Sequence, residues 1–424
     1  MLISSRICGI LTDHAYRSVL GTGQGLVRAF ELQRPRPPDR PLWQFLGVLT
    51  GEAGVGLAVG AAGSDPWDVS RRGVGECVER FALKQVDAEQ CNRPEALQGL
   101  VNLPKATWLE SGLINPKLFE SVAWGVARRL QDGQAVSVPA ALFDYPSLDE
   151  DVLLVDASPS GAASALSLQE ARRAAILEII ERDAFQMAWT GLLHIDFLAA
   201  HEYELAGGEI EATIRCLKGL GCELYVGVVR QSDLPPTWVA VAISDGSRGP
   251  AVAVGLKATT DASRGIAGAC RESVQVATLV RGVAKRPTGR LLADADHAQG
   301  IELRKVAHLA TSDAERDARA FVSRFRRGLK PDSGQALSND SVDSILFALY
   351  GRGIEILEKD ISHRLPETAR LIGWRVVKLV ALGLQPLRLD ERQTWSWSTS
   401  RLSEFGNAEE CLIRARASPP HPLP

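Results

Sequence analysis

Acidic side chains recur at two places in this 424-residue sequence with a spacing suited to holding a divalent cation. The first place is Glu76 and Glu79, followed at once by Arg80, in the stretch DVSRRGVGECVERFALKQ. The second is Glu178 and Glu181, followed by Arg182, in LSLQEARRAAILEIIERDAFQMAW. Residues three apart share one helical face, so each Glu-x-x-Glu-Arg string presents two carboxylates side by side with a guanidinium next to them. Like charges gathered at the margin of a buried face raise each other's pKa unless something positive sits among them. Carboxylate oxygen is the ligand Mg2+ prefers, so two such helices brought together could hold one or two metal ions between paired acids. Taken alone, Glu-x-x-Glu-Arg is an ordinary string for a solvated helix face. The second copy, merging like the first into an apolar arc, turns the reading toward a site. Cys77 lies between the first two glutamates and reads as a small buried thiol rather than a nucleophile.

The second string has clear start signals. Ser158-Pro159-Ser160-Gly161 is a turn, because Pro and Gly impose backbone geometry that helices avoid. Ser167 then serves as N-cap with Glu170 three residues on, a capping box. Ile176, Leu177, Ile180 and Ala184 form the core arc beside Glu170, Glu178 and Glu181. Elsewhere, helices are expected at about 67–90, 263–281, 312–328 and 340–350. Strands are expected within Leu46–Ala62, Val136–Tyr145, Asp151–Asp156, Ala251–Gly255 and Gly353–Lys359, with a hairpin across Glu223–Asp245 turning at Pro235-Pro236. Alternating strands and helices argue an α/β (α+β) fold. The chain divides into an N-terminal segment 1–45 containing the extended PRPPDRP connector, a main domain 46–410, and a Pro-rich tail 411–424 ending PPHPLP.

Composition narrows the classes. With 45% hydrophobic and 23% charged residues and a net charge of −3, the sequence is that of an ordinary globular protein with no electrostatic call on nucleic acid. No run of about 18 apolar residues or signal-peptide pattern is present, so no membrane partner is expected and the location expected is cytoplasmic. The 7 cysteines form no Cys-x-x-Cys pair, and the 7 histidines are not grouped with acids at ligand spacing. His194 and His201 read as structural or exposed. Neither the Gly-x-x-x-x-Gly-Lys-Ser/Thr nor the Gly-x-Gly-x-x-Gly phosphate loop occurs.

Together the motifs resemble the YcaO family, whose members carry an early E-x-x-E-R helix and a later T-S-N-G-x-A-x-G…E-A…E-x-x-E-R-D-A segment. Glu170-Ala171 and Glu178 to Ala184 match the second block, and Ala267–Gln275 (AGACRESVQ) is similar to the family's R-A-L-x-E-x-x-Q helix, with Glu272 and Gln275 in place. Val376–Leu387 is similar to its late strand and turn, so the resemblance spans roughly 45–424. It implies a YcaO-type ATP-binding fold with mixed sheets and packed helices, and ATP and Mg2+ as cofactors. By the same resemblance Glu76, Glu79, Glu178 and Glu181 hold metal, while Arg80, Arg182, Ser158, Ser160, Glu170, Glu272 and Gln275 line the nucleotide pocket. The implied activity is an ATP-dependent cyclodehydratase forming thiazoline or oxazoline rings in a ribosomally made precursor peptide. The alternatives are thioamide or amidine formation, or a catalytically reduced binding subunit. The ending resembles the tail that enters the active site of azoline-forming members, which implies catalytic positions for Pro420, Pro422 and Pro424. The terminal carboxylate or His421 is then the candidate proton acceptor. A separate E1-like leader-peptide-binding protein, a flavin-dependent azoline dehydrogenase and a homodimer are the implied partners. Three positions depart from the pattern: Ser160 replaces Asn, Ala61-Ala62-Gly63 replaces Gly-Lys-Gly, and Gly268 replaces an Arg for which Arg264 and Arg271 are the candidate substitutes.

Overall fold

The structure, a computed structural model, describes residues 15–20, 26–36, 42–49, 58–84, 99–145, 153–199, 208–285, 297–327 and 341–423. Near the N-terminus, β1 (Val27–Gln33), β2 (Trp43–Leu49) and β3 (Ala58–Gly63) form an antiparallel meander. Six strands make the largest sheet: β4 (Val101–Asn102), β5 (Trp124–Arg129), β6 (Ala135–Pro139), β7 (Ala162–Ala165), β12 (Glu355–Asp360) and β13 (Arg375–Leu382). Their order is β4-β6-β5-β12-β13-β7, antiparallel except for the parallel β4–β6 pair. The third sheet, ordered β11-β10-β9-β8, is antiparallel and holds β8 (Ile195–Leu198), β9 (Cys222–Val229), β10 (Thr237–Ser244) and β11 (Val252–Ala258). The architecture is α/β with mixed sheets, as the strand–helix alternation predicts.

Three helices carry the acidic motifs. The first, α1 (Pro66–Leu83), starts at Asp65, whose side chain caps the Trp67 and Asp68 amides, with Pro at the first helical position. It packs on β2, β3 and β7. Gly73 permits that approach, because a Cβ there would lie 2.1 Å from the Phe45 ring. The second, α2 (Leu168–Trp189), joins two sheets, touching β13 and β7 on one side and β10 and β11 on the other. From Ala175 to Trp189 almost every residue is buried, so this is a core helix rather than an amphipathic surface one. Asp183, fully buried within it, is neutralised by Arg401 through two 2.9 Å bonds and accepts the Gln385 amide at 2.8 Å. The third, α3 (Ala262–Ala284), lies on β10 and β11 and reaches β3. No helix among the described residues is long and apolar enough to cross a membrane.

Several expectations need correction. Of residues 1–45, the described ones are joined to the rest: β1 pairs with β2, and Tyr16 packs edge-on against Trp374, whose indole donates to the Ala15 carbonyl at 3.2 Å. Residues 37–41 of the Pro-rich connector lie outside the described residues. The strand expected across Val136–Tyr145 stops at Pro139, which has no N–H to extend a ladder, and turns into a short 3-10 helix over Ala140–Phe143. Within Asp151–Asp156 only Val155 bridges to Ile114; 151–152 lie outside the described residues. The helix expected at 312–328 ends at Ser323. Residues 411–416 belong to the helix Ala408–Arg416, so the extended tail begins after it.

Candidate active site

Five carboxylates from the three helices face one space: Glu76 and Glu79 of α1, Glu178 and Glu181 of α2, and Glu272 of α3. Burial pushes Glu76 up to about 7, and the charges of Glu178 and Glu272 add to this while Arg80 opposes it. Burial likewise holds Glu79 well above the usual carboxylate range, with Glu178 and Glu76 contributing. Glu272 is raised too, although it accepts the Leu256 amide at 2.6 Å. Glu178 accepts from the Gly161 amide at 3.3 Å and from Arg182 at 3.3 Å. Glu181 accepts from the Ala258 amide at 2.7 Å and from Lys257 at 3.1 Å.

Four cations are interleaved with these acids: Arg80, Arg182, Lys257 and Lys378. Arg80 lies 3.9 Å from Glu76 and 3.8 Å from Glu79, and Arg182 spans Glu178 and, at 3.8 Å, Glu272. Each guanidinium keeps one buried nitrogen, Nη1 of Arg80 and Nε of Arg182, without a hydrogen-bond partner. Lys378 donates to the carbonyls of Ser158 and Ser160, and burial lowers its ammonium to about 8 against the pull of Glu178 and Glu79. Gly161, at φ +80°, lets this turn press against β13, since a Cβ would meet the Leu379 carbonyl oxygen at 2.5 Å. Among the described residues, no three acid, His or Cys side chains already stand in chelating geometry. The carboxylates lean on guanidinium, ammonium and amide groups instead. The donor set nonetheless fits a hard divalent ion, because all its ligands are carboxylate oxygens and two of them are pushed up by crowding and burial.

Not every expected residue joins the cluster. Glu170 remains exposed in the first turn of α2, capping its own helix through Ser167 at 2.9 Å, about 12 Å along the axis from Glu178. Gln275 donates to the Gly60 carbonyl at 2.6 Å, bracing α3 to β3. Arg271 pairs with Glu209 at 2.9 Å and Arg264 with its own N-cap Asp261 at 3.4 Å. Where a lysine is missing at 61–63, Arg72 of α1 donates to the Ala62 carbonyl at 2.5 Å. Cys77 is a buried thiol pushed up to about 12 by burial.

Beside the acids lies a cleft lined by Asp156, Ser158, Ser160, Arg182, Lys378 and Gln385. Asp156 accepts the Asp390 amide at 2.8 Å on one oxygen, its other oxygen has no partner, and burial raises it to about 7. The C-terminal tail runs toward this region. Trp189, at the end of α2, donates from its indole to the Pro419 carbonyl at 2.7 Å. Pro420 is exposed, Pro422 is buried, and Leu423 is 1% exposed. Both ring nitrogens of His421 are hydrogen-bonded within the protein. Its Nε2 donates to the Arg388 carbonyl at 2.6 Å, and its Nδ1 accepts the Leu423 amide at 3.2 Å. Burial, with the charges of Lys305 and Arg182, holds it well below the ordinary histidine range. Pro424 lies outside the described residues.

Sequence reasoning missed Lys257, Lys378 and Asp156. A signal existed: Lys257 is the one charge in the apolar strand VAVGLKA and Lys378 sits between apolar residues in RVVKLVAL, where burial needs a partner.

A family model described as YcaO cyclodehydratase, ATP- and Mg2+-binding, matches residues 62–385. No curated protein matches the chain. The E. coli microcin synthetase McbBCD complex with pro-MccB17 bound contains a chain that superposes with a TM-score of 0.68 at 13% identity, covering 96% of this chain and 98% of that one. The structure of YcaO from Methanopyrus kandleri bound with AMPPCP and Mg2+ gives 0.62 at 17% identity, covering 93% and 94%. A heterocyclase in complex with substrate and cofactor gives 0.65 at 16% identity over 91% of this chain, which spans only 54% of that longer one. At such identities the superpositions establish the fold. The family follows from the match over residues 62–385: this chain belongs to the YcaO family of ATP- and Mg2+-binding proteins.

Proposed function

We propose that the protein is an ATP- and Mg2+-dependent cyclodehydratase that forms thiazoline or oxazoline rings in a ribosomally synthesised peptide. The observation that carries this reading is the junction of two features. Carboxylates from three helices, interleaved with cations, face one space, and the C-terminal tail buries His421 within electrostatic reach of Arg182, which lines the cleft beside it. The solved relatives bound to a nucleotide analogue with Mg2+, or to pro-MccB17, support the same class.

The chemical problem is the amide oxygen, a poor leaving group. A Cys, Ser or Thr side chain adds to the preceding carbonyl carbon, losing its proton, and the adduct reverts unless that oxygen is converted. When bound, ATP and Mg2+ supply the phosphoryl group that lets the oxygen depart as phosphate. The amide nitrogen then gives up its proton and the C=N bond of the azoline forms. The protein's tasks are positioning and charge neutralisation. Glu76, Glu79, Glu178 and Glu181 would hold the metal, with Glu272 beside them. Arg80 and Arg182, each with one unpartnered buried nitrogen, can turn toward phosphate. Ser160, third in the turn held by Lys378, offers one hydroxyl where the family pattern has an amide. In this reading the tail positions the peptide and supplies the proton acceptor, for which His421 and the terminal carboxylate are the candidates. A precursor peptide, a leader-peptide-binding E1-like partner, an azoline dehydrogenase and a second copy of the chain complete the proposal.

The test is mass spectrometry of a precursor peptide incubated with the protein, ATP and Mg2+, with and without the leader-binding partner. Loss of one water per modified residue, dependent on ATP and accelerated by the partner, is expected. Exchange of oxygen for sulfur would instead establish thioamide formation, and an unchanged peptide under all conditions would overturn the enzymatic reading.

A further inference from the structure

Lys257 and Gly268 face each other across β11 and α3, and the geometry of that contact makes them complementary. The lysine stem runs along the helix directly over the glycine. A Cβ at 268 would lie 2.9 Å from Lys257 Cγ and 3.0 Å from Cδ, closer than real Cβ contacts allow. Only glycine at this place lets the lysine run forward over the helix. It does so to put its ammonium 3.1 Å from Glu181, whose same oxygen accepts the amide of the next residue, Ala258, at 2.7 Å. One end of the side chain is thereby fixed by a buried acid while the rest stays accessible. The Lys257 side chain is 43% exposed, against 20% for Arg80 and 16% for Arg182, and Lys378 is a buried residue. Among the cations of the cluster, Lys257 is the one a ligand entering the space meets first. The arginines nearby on α3, Arg264 and Arg271, are committed to Asp261 and Glu209.

We propose that Lys257 is a nucleotide-phosphate-binding residue of this protein, and that Gly268 is its structural complement, so that the positive charge this part of the site needs is delivered from the strand instead of from the helix. The inference rests on the proposed nucleotide site and deepens it. An ammonium suits the task because it is a compact point charge with three donors, able to hold one carboxylate and still contact phosphate oxygen. The strand end holds it rigid through the Ala258–Glu181 bond, so little ordering remains to be done when phosphate arrives.

The test is ATP affinity in the presence of Mg2+, measured by calorimetry alongside adenosine and alongside melting temperature. Lys257→Met keeps the stem and removes the charge. It should weaken ATP by about tenfold to a hundredfold, the scale of one charged hydrogen bond, and leave adenosine binding unchanged, while the melting temperature falls because the buried Glu181 loses its ammonium. Gly268→Arg alone should lower the melting temperature and ATP affinity, because two side chains compete for one space. Combining Lys257→Ala with Gly268→Arg should recover much of the ATP affinity that Lys257→Ala loses. Wild-type ATP affinity in Lys257→Met, or a double variant no better than Lys257→Ala, overturns the proposal. A wild-type protein that binds no nucleotide fails the underlying functional reading instead, so the two failures are distinct.

Discussion

Glu181 shows what a buried charge requires. It is 5% exposed, yet it has both an ammonium and an amide on one oxygen, so it enters the core with its charge compensated. Burial pushes Glu76 and Glu79 upward in pKa, and Arg80 beside them opposes this. Replacing Glu79 or Glu181 by Gln should therefore abolish Mg2+-dependent nucleotide binding measured by calorimetry, while Glu170→Gln, at the exposed end of α2, should leave it unchanged. Asp156 yields a pH prediction. Its carboxyl is raised from 3.8 to about 7, so the folded protein binds the proton more tightly than the unfolded chain. The stabilisation is fully present below about pH 4 and is lost as pH rises through 7. Asp156→Asn should flatten the stability–pH curve between those limits in denaturant titrations; an identical slope in both proteins would remove Asp156 as its source. The glutamates were legible because helical spacing alone puts them together. Lys257 and Lys378 were not, because their partners lie far away in sequence, and a period within one element carries no information about another.

At the scale of elements, caps and periods read well. The Ser167 capping box, the Asp65-Pro66 start and the β9–β10 hairpin all follow from local chemistry. The apolar run from Val136 was misread because its composition suits a strand throughout, while Pro139 ends the ladder. The tail was half legible. Its prolines predict an extended rod, but the helix Ala408–Arg416 and the burial of Leu423 depend on Trp189, Lys305 and Glu391. Deleting 420–424 accordingly removes buried side chains, His421 and Leu423 among them, as well as the proposed reactive groups. Losing the buried Leu423 side chain alone should cost about 2–5 kcal/mol. Ring formation should drop much further than the folded fraction, measured by circular dichroism, accounts for. A truncated protein that cyclises peptide at the wild-type rate would return the tail to a purely structural part.

For the whole molecule, the alternation of strands and helices predicted the class of fold but not its wiring. β7, which leads into α2, sits at the edge of the six-stranded sheet beside β13, from the far end of the chain. Such pairings are made by long-range packing that leaves no local mark. Among the described residues, one core packs against the C-terminal half of α2, another against its N-terminal half and a third under α1, and the candidate site lies where these helices meet.

The double anchoring of α2 has a mechanical consequence. Glu178 and Glu181 sit midway along this rod and Trp189 holds the tail at its end, about 12 Å beyond Glu181. A buried helix of this kind behaves as a ruler: it cannot stretch, so it fixes the span between the acidic cluster and the point where the tail is held. Any sliding of the rod moves both ends together and in step.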